Sequence, residues 1–379
     1  MIQMNAESVT RFRRGLFAMM VCFALCCNHA EAQTTEPGGL KVFGYFQAAL
    51  GYQKDVNLKK EINSFTLQQL NLFLQKDLIQ NWSAFVNFEF VNSYSSLREW
   101  GAFSLEEAWI NYRGSKQFKL KLGMLTPTFN NLNEIKNRTP LLPYIIRPVV
   151  YESSFSEDTD TDEFVPVQAY VQAYGFIPIR TVKLDYAIYL GNSPNINRDR
   201  RYGSTGIDTS RTFLVGGRVG MRNDFFKAGI SATFDEYELQ TEVAERLELP
   251  LEHFESIPRL RRGADFSLTS TKWFFESEYI HVSYDFELPQ VDFDKRFFYA
   301  TLGYHFSERV MAYFSYWDAK ENSLPLREQG YQVPTFGATF NIGDMIVWKI
   351  QTANAHFDAT NPRLDATYNY TYLAVSVRF

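Results

Sequence analysis

The chain has 379 residues, 16% of them aromatic, and a net charge of −5 at neutral pH. That charge argues against the broad basic surface with which domains bind nucleic acid. All three cysteines lie before residue 28. The rest of the chain therefore cannot form a disulfide or a thiolate metal site and cannot supply a cysteine nucleophile.

The N-terminus has the pattern of an export signal. Three arginines precede an apolar run at residues 15–27, and a small-x-small cleavage pattern follows at Ala30 and Ala32. The apolar run is too short to span a bilayer as a helix. The sequence therefore predicts a signal peptide over residues 1–32 and one domain over residues 33–379.

From Leu40 onward, apolar and polar residues alternate in short segments. Leu70, Leu72 and Leu74, for example, share one face of a segment whose other face is polar. A soluble all-β protein and a transmembrane β-barrel both fit such alternation, but these segments have about the 9 to 11 residues that a membrane strand needs. The interior and exterior faces of the segment at 273–285 cannot be assigned, because two glutamates share a face with two aliphatic residues. The predicted strands cover residues 40–53, 68–76, 83–91, 104–113, 118–125, 167–175, 182–190, 212–222, 226–234, 260–271, 273–285, 295–306, 309–319, 333–342, 345–357 and 366–379.

The connections between these segments alternate in length, with the first of the longer ones at residues 54–63. Alternation of short turns with longer loops is typical of a closed antiparallel barrel whose termini meet at the short-turn rim. The last segment, TYLAVSVRF, ends on an aromatic residue with apolar residues at every second place before it. In lipid the final strand must pair with the first and leave no open edge. We therefore predict an all-β fold, a 16-stranded antiparallel transmembrane barrel.

The third long connection, residues 127–164, is the longest and is partly apolar. A long loop in a compact fold usually has a function. Its position and length are similar to the third loop of trimeric general porins, which folds into the lumen and narrows the pore. A solvated extracellular loop with a subunit contact is the alternative. The candidate constriction residues are Glu134, Lys136, Arg138, Arg147, Glu152, Asp158 and Asp160.

The same alternation predicts which charged residues face the lumen. Bases exceed acids there by about six, so the wall is expected to be net positive and to oppose an acidic third loop, and charged rings set ion preference in pores. For any one residue, anchoring at the periplasmic rim is the alternative. The predicted lumen residues are Arg113, Lys119, Lys121, Lys183, Arg218, Arg222, Lys227, Arg261, Arg309, Lys349 and Arg378 among the bases, and Glu89, Glu107, Asp185, Asp235 and Asp265 among the acids.

The sequence contains only weak evidence for a catalytic site. The spacing of His281 and Ser283 resembles the His-x-Ser pair of the outer-membrane phospholipase, but the next predicted strand supplies no asparagine beside them, only Phe298 and Ala300 or the residues after them. A nucleophile needs a base and an orienting group within reach. Alternation places Glu106 and Glu107 on opposite faces, so they cannot act as a pair, and no metal-ligand spacing such as HExxH is present. The sequence predicts no enzyme, no cofactor and no metal.

The opening GYFQ (44–47), the run LKLGMLTPTF (120–129) and the final strand resemble the porin superfamily that includes the phosphate-selective porins O and P. The resemblance implies a bacterial outer-membrane channel, in contact with lipid and passing small hydrophilic solutes, and a homotrimer. A phosphate-selective pore would imply a ladder of arginines and a lysine cluster, whereas the third loop has more acids than bases. We therefore expect passive diffusion with a mild anion preference. The alternatives are a substrate-specific channel for phosphate, another anion or a small oligosaccharide, and an outer-membrane barrel enzyme or a structural barrel.

Overall fold

The computed structural model describes residues 39–91, 102–152, 165–193, 212–237, 257–285, 293–323 and 329–379. Sixteen strands form one closed barrel in which each strand pairs antiparallel with its neighbours in sequence and β1 pairs with β16. The predicted fold is thereby confirmed. No helix within these ranges is long and apolar enough to cross a membrane. The strands are β1 Lys41–Asp55, β2 Lys60–Asp77, β3 Trp82–Val91, β4 Ala102–Tyr112, β5 Lys119–Leu125, β6 Gln168–Ile179, β7 Val182–Gly191, β8 Leu214–Arg222, β9 Phe226–Tyr237, β10 Ile257–Thr269, β11 Trp273–Tyr284, β12 Phe293–His305, β13 Val310–Ser323, β14 Gln329–Ile342, β15 Ile346–Asp358 and β16 Ala366–Arg378.

The alternation in sequence becomes an apolar outside and a polar inside. Val219 and Ile230 pair across β8 and β9 and are 52% and 68% exposed, whereas Arg218 and Ser231, paired one position away, are buried. Successive side chains of a strand point to opposite faces. The outer wall can therefore contact hydrocarbon while the inner wall stays polar.

The barrel closes between β1 and the last residue of the chain. The Gly44 N–H donates to the Phe379 carbonyl at 2.9 Å, and the Phe379 N–H donates to the Gly44 carbonyl at 3.0 Å. A Cβ at Gly44 would lie only 2.3 Å from the Asn71 carbonyl oxygen and 2.7 Å from the Phe379 ring. A glycine is required here because the terminal aromatic ring packs against the backbone of β1.

The first connection differs from the prediction. Residues 51–55 of β1 continue to pair with residues 60–64 of β2, so a turn of four residues replaces the longer loop expected at 54–63. An ion pair between Lys54 Nζ and Glu61 Oε1, 2.8 Å apart, lies near the tip. Consecutive polar residues at 53–55 and 59–61 occupy both faces of the strands here, and hydrophobic alternation therefore gave no signal for this end of the hairpin.

Two β-bulges add polar side chains to the inner wall. The register shifts between Gln47 and Ala48 opposite Gln68, and between Asn87 and Phe88 opposite Glu106. A bulge inserts one extra residue into one strand of a pair. The prediction that Glu106 and Glu107 face opposite ways is therefore wrong, because both side chains contact groups inside the barrel.

The structure also settles the faces of β11. Glu278, Ile280 and Val282 all lie on the inner face and are buried. The two aliphatic side chains belong to the same apolar cluster as Val149 and Val150 of the third long connection. This stretch of inner wall is therefore protein core, and its apolar residues need no contact with lipid.

Candidate functional site

The described part of the third long connection, residues 126–152, runs inside the barrel; we call it the inner loop. The Thr126 N–H donates to Glu107 of β4 at 3.3 Å, the Asn130 N–H to Ser231 of β9 at 2.9 Å, and the Ile145 N–H to Gln351 of β15 at 2.5 Å. These strands lie on different sides of the barrel. The inner loop is thus held across the lumen by the wall around it.

One carboxylate on β11 holds two parts of the inner loop. Glu278 Oε1 accepts from the N–H groups of Asn131 and Leu132 at 2.8 and 2.6 Å, and Oε2 accepts from the Tyr151 hydroxyl at 2.7 Å. Buried backbone donors are costly to leave without an acceptor. Glu278 therefore fixes the loop's position and is a structural anchor that sequence reasoning missed, because the face of β11 was ambiguous.

A lysine on the opposite wall binds the middle of the loop. Lys349 Nζ donates to the carbonyls of Thr139 and Tyr144 at 2.9 and 3.2 Å and to Gln47 Oε1 at 2.9 Å. The side chain is 2% exposed. Although alternation correctly predicted an inward lysine, its ammonium group is occupied by the loop and is not open to solute.

Within the inner loop, Lys136 is fully enclosed. Its Nζ donates to the Asn133 carbonyl at 3.2 Å and to the Val165 carbonyl at 3.3 Å. Burial, and after it the positive charge of Arg147, lowers the pKa of Lys136 from 10.5 to about 7. This candidate constriction residue therefore lies within the packed loop and does not line a passage.

Where the inner loop approaches β3 and β4, the charges are the reverse of those expected. The loop contributes bases, with Arg138 Nη2 3.8 Å from Glu107 Oε2, while Glu89 and Glu106 join Glu107 on the wall. Arg147 Nε lies 3.4 Å from Glu152 Oε2, so this pair is neutralised within the loop. The predicted loop acids Asp158 and Asp160 lie outside the described residues.

A basic row lies near the short-turn rim on the other side. Arg222 is directly opposite Lys183 of β7 and Lys227 of β9. Like charges directly opposite each other destabilise a sheet, and the Phe176 ring, 5.7 Å from Lys183 Nζ and 5.8 Å from the Arg222 guanidinium, offsets this only in part. The weak contact between Arg222 Nε and Asp185 at 3.9 Å leaves the row an electropositive stretch of wall.

Two lysines of β5 extend this positive region toward the inner loop. Lys119 Nζ lies 5.6 Å and Lys121 Nζ 5.4 Å from the centre of the Tyr174 ring. Lys121 Nζ also lies 3.9 Å from Glu134 Oε1 of the inner loop. On this side the arrangement matches the expectation, with wall bases facing a loop carboxylate.

Arg218 behaves differently from the basic row. Its guanidinium, 2% exposed, donates to both oxygens of Asp265 at 2.8 and 2.6 Å and to Asp185 at 2.5 Å. Arg261 is likewise buried, 2.9 Å from Asp235. These arginines are inside the barrel as predicted, but they are neutralised by the neighbouring strands and stabilise the wall.

The predicted positive excess of the lumen is therefore too large. Arg113 lies at the short-turn rim, 2.6 Å from Asp77, and Arg309 lies in an exposed turn. Bulges and the packing of β11 against the loop place further carboxylates inside. The inward charges that sequence reasoning missed are Glu106, Glu276, Glu278, Glu321, Arg259 and Lys295.

A cavity of about 440 Å³ lies between the inner loop and the wall formed by β1, β2, β3 and β16. Its lining includes Gln53, Thr66 and Tyr372 from the strands and Asn137 and Arg147 from the loop. It lies toward the rim of the longer loops, on the side away from the basic row.

The His281 and Ser283 pair has no catalytic arrangement. Their neighbours on β12 are Arg296 and Asp294, because the register of β11 and β12 differs from the predicted one. The Ser283 hydroxyl donates to the Leu260 carbonyl at 3.5 Å, while His281 Nε2 lies 3.5 Å from Asp294. Within the described ranges, no cluster of His, Asp and Glu has the arrangement of a metal site.

Comparison with known proteins agrees with the sequence resemblance. Residues 40–141 match the family described as phosphate-selective porin O and P. No curated protein sequence matches the chain.

Several solved structures share the barrel. The anion-selective porin from Comamonas acidovorans has a TM-score of 0.62 and 10% identity, and the match covers 90% of this chain and all of that one. The outer membrane channel DcaP of Acinetobacter baumannii has a TM-score of 0.61 and 10% identity, covering 92% and 100%. OmpT, expressed in the outer membrane of Vibrio cholerae, has a TM-score of 0.59 and 8% identity, covering 92% and 100%. At this identity the likeness concerns the fold.

Proposed function

We propose that this chain, a 16-stranded barrel with a segment of the porin O and P family, is a passive diffusion channel of the bacterial outer membrane. The observation that carries the proposal is the inner loop, which a closed barrel with an apolar exterior holds across its polar lumen. A barrel wall of this kind satisfies its backbone groups in lipid. Solutes would cross such a channel by diffusion down their concentration gradient.

The charge arrangement supports a mild anion preference. The basic row of Lys183, Arg222 and Lys227 lies on adjacent strands, and among the described residues its one ion pair is the 3.9 Å contact of Arg222 with Asp185. An electropositive stretch of pore wall raises the local concentration of anions. The similarity to a porin described as anion-selective agrees with this direction.

The test is the reversal potential in planar bilayers across a salt gradient. We expect the purified protein to form open channels that pass anions better than cations. Changing the basic row to glutamine (Lys183→Gln, Arg222→Gln, Lys227→Gln) removes three charges from the lumen and should move the reversal potential toward cation preference. The matched control removes three charges from the hairpin tip at the longer-loop rim (Lys54→Gln, Lys59→Gln, Lys60→Gln). Equal shifts in both variants would contradict the assignment.

The remaining parts of the proposal concern export and assembly. We infer that residues 1–32 are removed on export, which N-terminal sequencing of the outer-membrane protein would check. We also infer a homotrimer, as porins of this type form, which mass determination in detergent would check. The proposal includes no enzymatic activity, because the hydroxyl of Ser283 is directed to a backbone carbonyl and His281 to Asp294.

A further inference from the structure

The cavity of about 440 Å³ has the size of a ligand site rather than of a packing defect. Sites for small molecules usually have volumes of about 300–1,000 Å³ and combine an apolar surface with a few oriented polar groups. Here the inner loop forms the floor, through Thr139 and Ile145, and β1 and β2 form one side. Since the cavity lies toward the longer-loop rim, a solute arriving from that side reaches it before the basic row.

Its wall is rich in uncharged hydrogen-bonding groups. Gln53 and Thr66 line the cavity, and neither side chain makes a hydrogen bond within the described part of the chain. Gln68 reaches the cavity because of the β2 bulge and uses its oxygen to accept from Gln47 at 2.7 Å, which leaves its amide N–H groups as donors. Amides and hydroxyls that both donate and accept are suited to the hydroxyl groups of a sugar.

An aromatic surface borders these groups. Tyr372 lines the cavity, and a Cβ at Gly51 would lie 2.6 Å from its ring, so the ring lies against β1 where only a glycine leaves room. Tyr370 and Tyr368 follow on the same face of β16, with ring centres 6.3 Å apart at each step and an angle of 11° between the planes of Tyr370 and Tyr372. The column extends from the cavity toward the longer-loop rim.

The charges disfavour an anion at this place. Arg147, the one basic side chain of the lining, is paired with Glu152, and the remaining acidic group there, Glu89, adds no positive charge. An anionic solute would therefore meet no uncompensated base here, in contrast to the basic row. A neutral solute with many hydroxyls can use both the amides and the aromatic ring.

We propose that this cavity, with the Tyr372 ring on its wall, is a binding subsite for a neutral oligosaccharide. The proposal rests on the proposed channel function and names one class of solute for it. Sugar rings would pack on Tyr372, while Gln53, Thr66 and Gln68 bind their hydroxyl groups.

The experiment measures block of the ion current by maltohexaose in planar bilayers, added on each side in turn. We expect reversible, saturable block by millimolar sugar from the longer-loop side. Tyr372→Ala should raise the half-blocking concentration about five- to tenfold, as expected for the loss of one aromatic contact, and Gln53→Ala with Thr66→Ala should raise it further. Tyr279→Ala, on the outer wall, is the matched control and should leave block unchanged.

The outcomes separate this proposal from the channel function. Open channels that maltohexaose does not block, or that it blocks equally in wild type and Tyr372→Ala, would overturn the subsite and leave the channel intact. Block by orthophosphate alone would overturn it as well. Absence of any conductance would overturn the channel function, and calorimetric titration of the detergent-solubilised protein with maltohexaose would then decide the subsite, since lack of binding refutes it.

Discussion

Replacing Glu278 by alanine should release the inner loop while leaving the barrel closed. The carboxylate accepts from two buried N–H groups, those of Asn131 and Leu132, and from the buried hydroxyl of Tyr151. Each buried donor left without an acceptor costs about 1–3 kcal/mol, so the loop's attachment to β11 weakens by roughly 3–9 kcal/mol. The strand ladders do not use this side chain and remain.

The assay is single-channel conductance, with the mobility shift on heating before gel electrophoresis as a check that the barrel has folded. We expect Glu278→Ala to show a higher and noisier conductance and easier protease cleavage within the loop. Glu278→Gln should fall between it and wild type, because the amide keeps one acceptor oxygen. Asp77→Ala, which removes a carboxylate at the short-turn rim, is the control. A folded Glu278→Ala barrel with wild-type conductance and an intact loop would refute the anchoring role.

Three further predictions concern groups inside the barrel. Lys349→Met should speed hydrogen exchange of the amides in residues 139–144, because the carbonyls of this segment lose their donor; unchanged exchange would contradict the contact. Because burial lowers the pKa of Lys136 to about 7, the unfolded loop binds more protons than the folded loop between pH 7 and 10.5, and the loop's stability should rise with pH across that window. Protease cleavage of the loop in wild type should therefore become slower as the pH rises across this window. In Lys136→Met, which lacks the titrating group, cleavage measured in the same way should not show this pH dependence. Arg218→Met should destabilise the barrel by about 3–5 kcal/mol, since it leaves Asp265 buried without its base; the urea midpoint in detergent measures the loss, and adding Asp265→Leu should restore part of it.

The architecture could be predicted from sequence because the outer wall follows a simple rule. Every second residue of a membrane-spanning strand must be apolar where it meets hydrocarbon, and the exposed side chains of Val219 and Ile230 follow this pattern, so strand number and pairing order follow from alternation. The hairpin tip of β1 and β2 could not be predicted this way because polar residues occupy both faces of the strands there, at residues 53–55 and 59–61.

The interior was harder to predict because the inner loop makes its own core. Ile280 and Val282 are apolar yet face inward, where they pack in the same cluster as Val149 and Val150. A residue's polarity therefore does not reveal its face where a loop covers the wall.

Charge pairing and β-bulges also could not be predicted from the sequence. The bulge at Glu106 turns a neighbouring pair of glutamates to one side, and nothing in local composition marks it. Likewise, Arg218 and Lys183 look alike as inward bases, but only the three-dimensional register shows that the first lies between two aspartates and the second beside another base.

The junction of Gly44 with Phe379 has a consequence for biogenesis. The two partners of this seam are separated by almost the whole barrel sequence, so every other hairpin can form before the ring is shut. Until the barrel closes, the incomplete sheet has two edge strands with unpaired N–H and C=O groups, which could pair with any other extended chain. Both edges therefore need protection until the barrel closes, and removal of Phe379 would prolong the time for which they are exposed.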